Sequence, residues 1–173
     1  SISETTFPKI SEWEVSGRLD RAGQVVSQSL IPSIAFAVPS FFGILVLSRE
    51  TLTTVFGDAY AVASVALVVL MFSQTLWSME SVFERALHAV DRPDLAVRSM
   101  LAAGLTNLVL NFALVPSFGI LGAALATTLG FGVQTALDYS FLDSLLPVSI
   151  PVSEGGWSVL SALVMGLSVL TVT

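Results

Sequence analysis

The sequence predicts an all-α membrane protein, a bundle of about five transmembrane helices. Two observations carry this prediction. Of the 173 residues, 54% are hydrophobic and only 12% charged, against roughly 25% charged in an average soluble domain. Residues 99–137 also form a run without a single charged side chain. Continuous apolar runs of this length favour helices, which satisfy all their backbone hydrogen bonds internally in lipid.

The predicted spans follow from length. A bilayer core about 30 Å thick requires about 20 mostly apolar residues for one helical crossing. Five segments meet this requirement, and they cover residues 29–48, 59–79, 99–115, 120–137 and 156–173. Residues 1–28 are predicted to be a cytoplasmic amphipathic linker, since Ser11 and Glu14 have the spacing of a capping box and apolar residues follow at helical intervals. Because the sequence begins at Ser1 and ends in an apolar run, we expect a fragment of a longer chain.

The uncharged run is predicted to contain a four-residue turn between its two spans. Pro116 cannot extend a helix, and Gly119 tolerates the positive φ that often closes one. Counting arginine and lysine places residues 1–23 and 80–98 in the cytoplasm. The segment 138–154 should then also be cytoplasmic, although it contains no basic residue.

Several functional classes are excluded by composition. The sequence has no cysteine and a single histidine, His88, so thiolate and multi-histidine metal sites are not expected. A net charge of −6 argues against nucleic-acid binding, which needs a basic surface. The sequence shows no nucleophile–base pair and no carboxylate pair in an apolar setting, and no ionisable residue lies at the centre of a predicted span. We therefore expect no enzyme and no cofactor.

Two asparagines are the first candidate substrate-binding residues. Asn107 and Asn111 are four residues apart, so they lie on one face of their helix. Such amides could line a cavity that accepts sugar or phosphate groups. The alternative is that they bond neighbouring helices together, typically for under about 1–2 kcal/mol each.

Arg85 and Arg92 are the second pair of candidate substrate-binding residues, in the predicted cytoplasmic loop. A guanidinium group matches the geometry of a phosphate headgroup. The alternative is that these arginines only anchor the loop at the membrane surface.

Backbone features suggest where the bundle bends and packs. Pro32 and Pro39 are seven residues apart in the first span, so both lie on one side of it; they would form either a hinge or a static kink. Gly122, Ala126 and Gly130 recur every four residues and give one helix face almost no side chain. This face is predicted to serve helix packing.

Four motifs together resemble the polysaccharide and lipid-linked oligosaccharide flippases of the multidrug/oligosaccharidyl-lipid/polysaccharide exporter superfamily. The longest is NLVLNFALVPSFGILGAALATTLG at residues 107–130. It is similar to a family pattern of Asn, Leu-Asn, hydrophobic-Pro, Gly-Ile and Gly-Ala-Ala. The others are VFGDAYAVAS, ALHAVDRPDLAVR and FPKIS, matched through Phe56, Gly57 and Tyr60, through Leu87, Ala89, Arg92 and Pro93, and through Phe7 and Pro8.

The resemblance implies a multi-pass protein of the cytoplasmic membrane that moves a polyprenyl-linked glycan across the bilayer by alternating access. The chain would form part of the second lobe of a two-lobed fold. Its partners would be the bilayer lipids, the lipid-linked glycan and the missing N-terminal lobe. The acidic composition favours an archaeal surface-glycan pathway. The alternatives are a cation-coupled multidrug antiporter of the same fold, a membrane-embedded glycan-assembly enzyme and a scaffold without transport activity.

Overall fold

The computed structural model describes residues 19–146 and Val148. The helices are α1 (Leu19–Phe56), a 3-10 helix (Asp58–Ala63), α2 (Ser64–Ala89), α3 (Pro93–Phe118) and α4 (Ile120–Leu145). Four helical segments are long and apolar enough to cross a membrane. The prediction of an all-α membrane bundle is confirmed for the described residues. The predicted span 156–173 and most of the predicted linker 1–28 lie outside them.

Helix α1 joins the end of the predicted linker to the first predicted span. It has 38 residues, which at about 1.5 Å each give a length of about 57 Å. This length is nearly twice the thickness of a bilayer core of about 30 Å. The helix therefore extends beyond the core, and residues 19–28 continue the span without a break.

The helices pack in the order α1, α2, α4, α3. Helices α2 and α4 run parallel. Thr128 of α4 contacts Val69 of α2, and a step of seven residues along both helices leads to the next contact, Thr135 with Leu76. Helix α3 runs antiparallel to α4, since the two form a hairpin. Helix α4 is thus packed on two sides, and its side chains lie between those of α2 and α3.

The α3–α4 turn is shorter than predicted. Helix α3 continues through Pro116 to Phe118, and Gly119 alone separates the two helices. Pro116 lies in the last turn of α3, where its ring removes only one backbone hydrogen bond and is exposed. Gly119 has the predicted positive φ, 55°, and its N–H donates to the carbonyl of Val115 at 2.8 Å. The prediction of a four-residue turn was therefore wrong in length, but the predicted positive φ of Gly119 is confirmed.

The α2–α3 turn is also tight, and Pro93 begins a helix instead of ending one. Proline suits this first position because its fixed φ is helical and its missing N–H would be unpaired there anyway. Helix α2 ends in a Schellman motif. In it the N–H of Arg92 donates to Leu87 O at 2.9 Å, and that of Asp91 to His88 O at 3.2 Å. Asp91 has a positive φ of 55°.

Replacing Asp91 by glycine is expected to stabilise the protein. A left-handed backbone costs an L-residue roughly 1–2 kcal/mol, less for Asp, so we expect a gain of about 0.5–1 kcal/mol after the entropy cost of glycine. Unfolding of Asp91→Gly and wild type in detergent micelles would measure it. Asp91→Ala is the control and should be destabilised, since alanine lacks the short polar group that eases this conformation. An alanine variant as stable as the glycine variant would contradict the prediction.

The largest apolar core lies at the α2–α3 end of the bundle, where all four helices contribute. Its central residues are Leu30 of α1, Phe83 and Leu87 of α2, Leu95 of α3 and Leu142 of α4. The Phe83 and Tyr139 rings pack at 5.8 Å between centroids. Farther along the bundle, contact between α3 and α4 depends on small residues.

Candidate functional site

An open pocket of about 410 Å³ lies between α3 and α4. It is named the α3–α4 pocket, and its lining residues are Met100, Ala103, Gly104, Asn107, Thr127, Gly130, Phe131 and Gln134. The space exists because three of these residues carry little or no side chain. Three others, Asn107, Thr127 and Gln134, bring hydrogen-bonding groups to the pocket lining.

The two predicted asparagines lie on one face of α3, and Asn107 lines the pocket. The Asn111 side-chain amide donates to Asn107 O and to Asn107 Oδ1, both at 2.9 Å. The Asn107 amide donates to Thr127 Oγ1 of α4 at 3.4 Å. The last distance is longer than the usual N–H···O distance of about 2.9–3.0 Å. The asparagine pair is therefore held mainly within α3 and only weakly to α4.

The predicted packing face of α4 lies against α3. A Cβ at Gly122 would come within 2.5 Å of the carbonyl oxygen of Leu114, and one at Gly130 within 3.2 Å of Asn107 Cβ. Ala126, between them, is fully buried. Gly122 thus permits close backbone approach beside the turn, while Gly130 makes room for Asn107.

Threonines on α4 attach it to α2 from the other side. Thr128 Oγ1 lies 3.2 Å from Val69 O and 2.8 Å from Ala124 O of its own helix. Thr135 repeats the pattern with Leu76 O at 3.3 Å. Each hydroxyl proton is shared between a bond within the helix and a weaker one between helices, so the threonines align α4 with α2 without fixing it strongly.

Two buried carboxylates lie next to the pocket at the α2–α3 end. Glu80 of α2 is 2% exposed and Asp138 of α4 is fully buried. Gln134 Nε2 donates to Glu80 Oε1 at 2.8 Å, and the Ser99 hydroxyl of α3 pairs with Asp138 Oδ1. The expectation that no carboxylate pair occupies an apolar setting is therefore wrong.

The prediction from the sequence did not identify these carboxylates, because each predicted span ended one residue before the carboxylate. Residues 80 and 138 follow predicted spans that end at 79 and 137, so both looked like the first residues of polar loops. In the structure both helices continue, to Ala89 and Leu145. Helical spacing would have indicated their burial. Glu80 lies three residues before Phe83 and Asp138 four residues before Leu142, so each lies on the same helix face as a core residue.

The predicted arginines do not join the asparagines in one site. Arg92 Nε pairs with Asp94 Oδ1 at 3.1 Å, and Arg98 lies 3.9 Å from the other oxygen. Arg85 is exposed on α2. Asn107 lies fourteen residues into α3, about 21 Å along the axis from its start. The arginines belong to one end of the bundle and the asparagines to its middle.

The predicted hinge prolines lie within one continuous helix. Helix α1 passes through Pro32 and Pro39, and Ser40 Oγ donates to Phe36 O at 2.8 Å beside the second. Pro32 borders an open groove of about 570 Å³ between α1 and α2. The groove also contains Ser33, Phe36, Ala37, Ser40, Met71, Gln74, Thr75, Trp77 and Ser78.

Two archaeal proteins are similar to this chain in sequence. The chain is 38% identical over 165 residues to the probable low-salt glycan biosynthesis flippase Agl15 of Haloferax volcanii, covering 95% of this chain and 35% of that protein. It is 29% identical over 175 residues to the probable flippase AglR of the same organism, covering 99% of this chain and 37% of that protein. The chain therefore spans about a third of the length of these relatives.

The fold also matches a solved structure, a lipid II flippase MurJ in an inward closed conformation. The TM-score is 0.77 with 20% sequence identity, over 99% of this chain and 36% of the other. At this identity the likeness concerns the fold. The family model described as lipid II flippase MurJ matches residues 1–172. A match along almost the whole sequence, with the same helical fold, shows that this chain belongs to the MurJ family of flippases.

Proposed function

We propose that this chain is part of a flippase that carries a lipid-linked oligosaccharide or polysaccharide precursor across the cytoplasmic membrane by alternating access. The α3–α4 pocket is the observation that carries the proposal. It places half-buried amide and hydroxyl groups in the middle of the bundle, between two membrane-spanning helices. Membership in the MurJ family and the similarity to two probable archaeal flippases support it. No catalytic step is part of the proposal.

The chemistry of the pocket suits a glycan headgroup. A sugar or phosphate loses its hydration on entering a bilayer, so it needs polar partners along its path. Asn107 lines the pocket and is bonded to α4 through a 3.4 Å contact, while Asn111, one turn further along α3, bonds to Asn107. We assign both as substrate-binding residues, since packing residues would be expected to make shorter bonds between helices.

The arginines have a separate role in this proposal. Arg85 and Arg92 lie at the α2–α3 end, which basic residues place in the cytoplasm. There they would attract the phosphate of the lipid carrier before the headgroup reaches the pocket. Pro32 and Pro39 are the proposed hinge residues of α1, and Gly122, Ala126 and Gly130 allow α3 and α4 to move past each other while they stay packed.

A gene-deletion experiment tests the function. In cells that lack the gene for the intact protein, lipid-linked glycan should accumulate on the cytoplasmic side and surface glycan should fall, and the gene should restore both. Unchanged glycans would refute the flippase function. Dye efflux from the same cells would test the multidrug antiporter, which the buried carboxylates Glu80 and Asp138 favour as the second candidate.

The asparagine pair can be tested in the same cells. The double variant Asn107→Leu/Asn111→Leu should reduce transport by about tenfold or more, corresponding to a loss of about 1.4 kcal/mol in substrate interaction. The matched control is Thr106→Val, which removes a hydroxyl that bonds Ala102 O of its own helix at 2.8 Å. The control should transport normally at equal protein level. Normal transport by the double variant would assign the asparagines to packing alone.

A further inference from the structure

The Ser99–Asp138 pair joins α3 to α4 at the α2–α3 end of the bundle. We propose that this pair is a proton-binding site, occupied by a proton in the conformation described here. The proposal goes beyond the flippase function and does not depend on it. It rests on burial, on hydrogen-bond accounting and on the surrounding charges.

Burial argues against an ionised Asp138. The side chain is fully buried, and its Oδ2 atom has no hydrogen-bond partner among the described residues. Its neighbour along α4, Leu142, is a fully buried core residue. An isolated carboxylate in such surroundings is so costly that the group takes up a proton instead. An unpartnered carbonyl oxygen of a neutral acid costs far less than an unpartnered charged oxygen.

Ser99 makes two full-strength hydrogen bonds only if Asp138 holds a proton. Ser99 Oγ lies 2.9 Å from Ala96 O and is also bonded to Asp138 Oδ1. A hydroxyl has a single proton to donate. If Asp138 is neutral, its acid proton is donated to Ser99 Oγ, and the Ser99 proton goes to Ala96 O. If Asp138 is ionised, Ser99 must share its one proton between these two acceptors, so each receives a weaker hydrogen bond.

The charges around the site also favour the neutral acid. Helix α2 contributes two acidic residues, the buried Glu80 and the half-buried Glu84, and the exposed Arg85. Helix α3 contributes the neutral Ser99 and an exposed Arg98 that pairs with Asp94. Helix α4 contributes the neutral Gln134 and the exposed Asp143. Helix α1 contributes the apolar Val26 and Leu30.

The proton would hold the α2–α3 end of the bundle closed. A deprotonated Asp138 needs water, and separation of α3 and α4 near Ser99 would admit it. Uptake of a proton would therefore favour the arrangement in which α3 and α4 are closed near Ser99. Release of the proton would favour the arrangement in which they are open. The site thus couples proton binding to the opening of the α2–α3 end of the bundle. This is the end that the positions of arginine and lysine assign to the cytoplasm.

Infrared spectroscopy of the intact protein tests proton occupancy directly. A protonated carboxylic acid has a carbonyl band that a carboxylate lacks. The Asp138→Asn variant should lose one such band, and Ser99→Ala should keep it at a shifted frequency. The control Asp143→Asn, an exposed position on the same helix, should keep it unchanged. A spectrum unaltered by Asp138→Asn would overturn the proposal, as would loss of the band on adding sodium at constant pH.

Spin labels test the coupling. The chain has no cysteine of its own, so cysteines can be placed at the exposed positions Val97 of α3 and Ser140 of α4. Alkaline pH should lengthen the distance between the labels, whereas acid pH should keep it short. Asp138→Asn imitates the neutral acid and should stay short at both. Equal distances at both pH values in the otherwise unaltered protein would refute the coupling, and so would a pH response that persists in Asp138→Asn.

Discussion

Replacing Gly122 by alanine is expected to destabilise the α3–α4 hairpin strongly. The added Cβ would lie 2.5 Å from Leu114 O, 2.6 Å from Leu114 C and 2.9 Å from Val115 N. All three are backbone atoms of α3, so no side-chain rotation can relieve the contact. The helices must separate beside the one-residue turn at Gly119. Overpacking of this kind costs about 1–3 kcal/mol.

Two other glycines provide matched controls for this prediction. A Cβ at Gly104 of α3 would meet nothing within 4 Å among the described residues, and one at Gly132 would meet only Leu76 Cδ1 at 3.9 Å. Since alanine is the better helix former, Gly104→Ala should be neutral or stabilising by up to about 1 kcal/mol. Unfolding in mixed micelles would compare the three variants. A Gly122→Ala variant as stable as Gly104→Ala would show that α3 and α4 are not closely packed at this point.

The turn regions show how far the sequence could predict this fold. Hydrophobic length identified the helices, and Gly119 identified the point where the hairpin reverses. Pro116 was misassigned because a proline is compatible with both ends of a helix. It costs little in the exposed last turn of α3 and is favoured in the first turn of the same helix. Only the packing of the neighbouring helices decides between these positions.

The candidate site was predicted only in part, for a different physical reason. Spacing along one helix placed Asn107 and Asn111 on a common face. No pattern within one helix relates Asn107 to Thr127, Ser99 to Asp138 or Glu80 to Gln134, because those pairs depend on the register between helices. The carboxylates also fall where a hydropathy limit assigns a loop. An acidic residue with a buried partner does not end a helix, although it ends an apolar run.

The Glu80–Gln134 pair carries the second large prediction. Gln134→Leu removes the amide that donates to Glu80 Oε1 at 2.8 Å and leaves a carboxyl group that is 2% exposed without this bond. Loss of a hydrogen bond to a buried polar group costs about 1–3 kcal/mol, and more if the group is charged. We therefore expect Gln134→Leu to be destabilised by about 1–3 kcal/mol.

A double-mutant cycle separates the bond from its environment. Replacing both partners, as Glu80→Met/Gln134→Leu, should recover most of the stability, because apolar residues of similar volume can replace a buried polar pair at little cost. The single Glu84→Gln variant is the control, since this neighbouring carboxylate is only half-buried on α2 and should change stability by under about 0.5 kcal/mol. Additive losses in the double variant would mean that Glu80 and Gln134 act independently, so α2 and α4 would be held together by their threonine contacts and apolar packing alone.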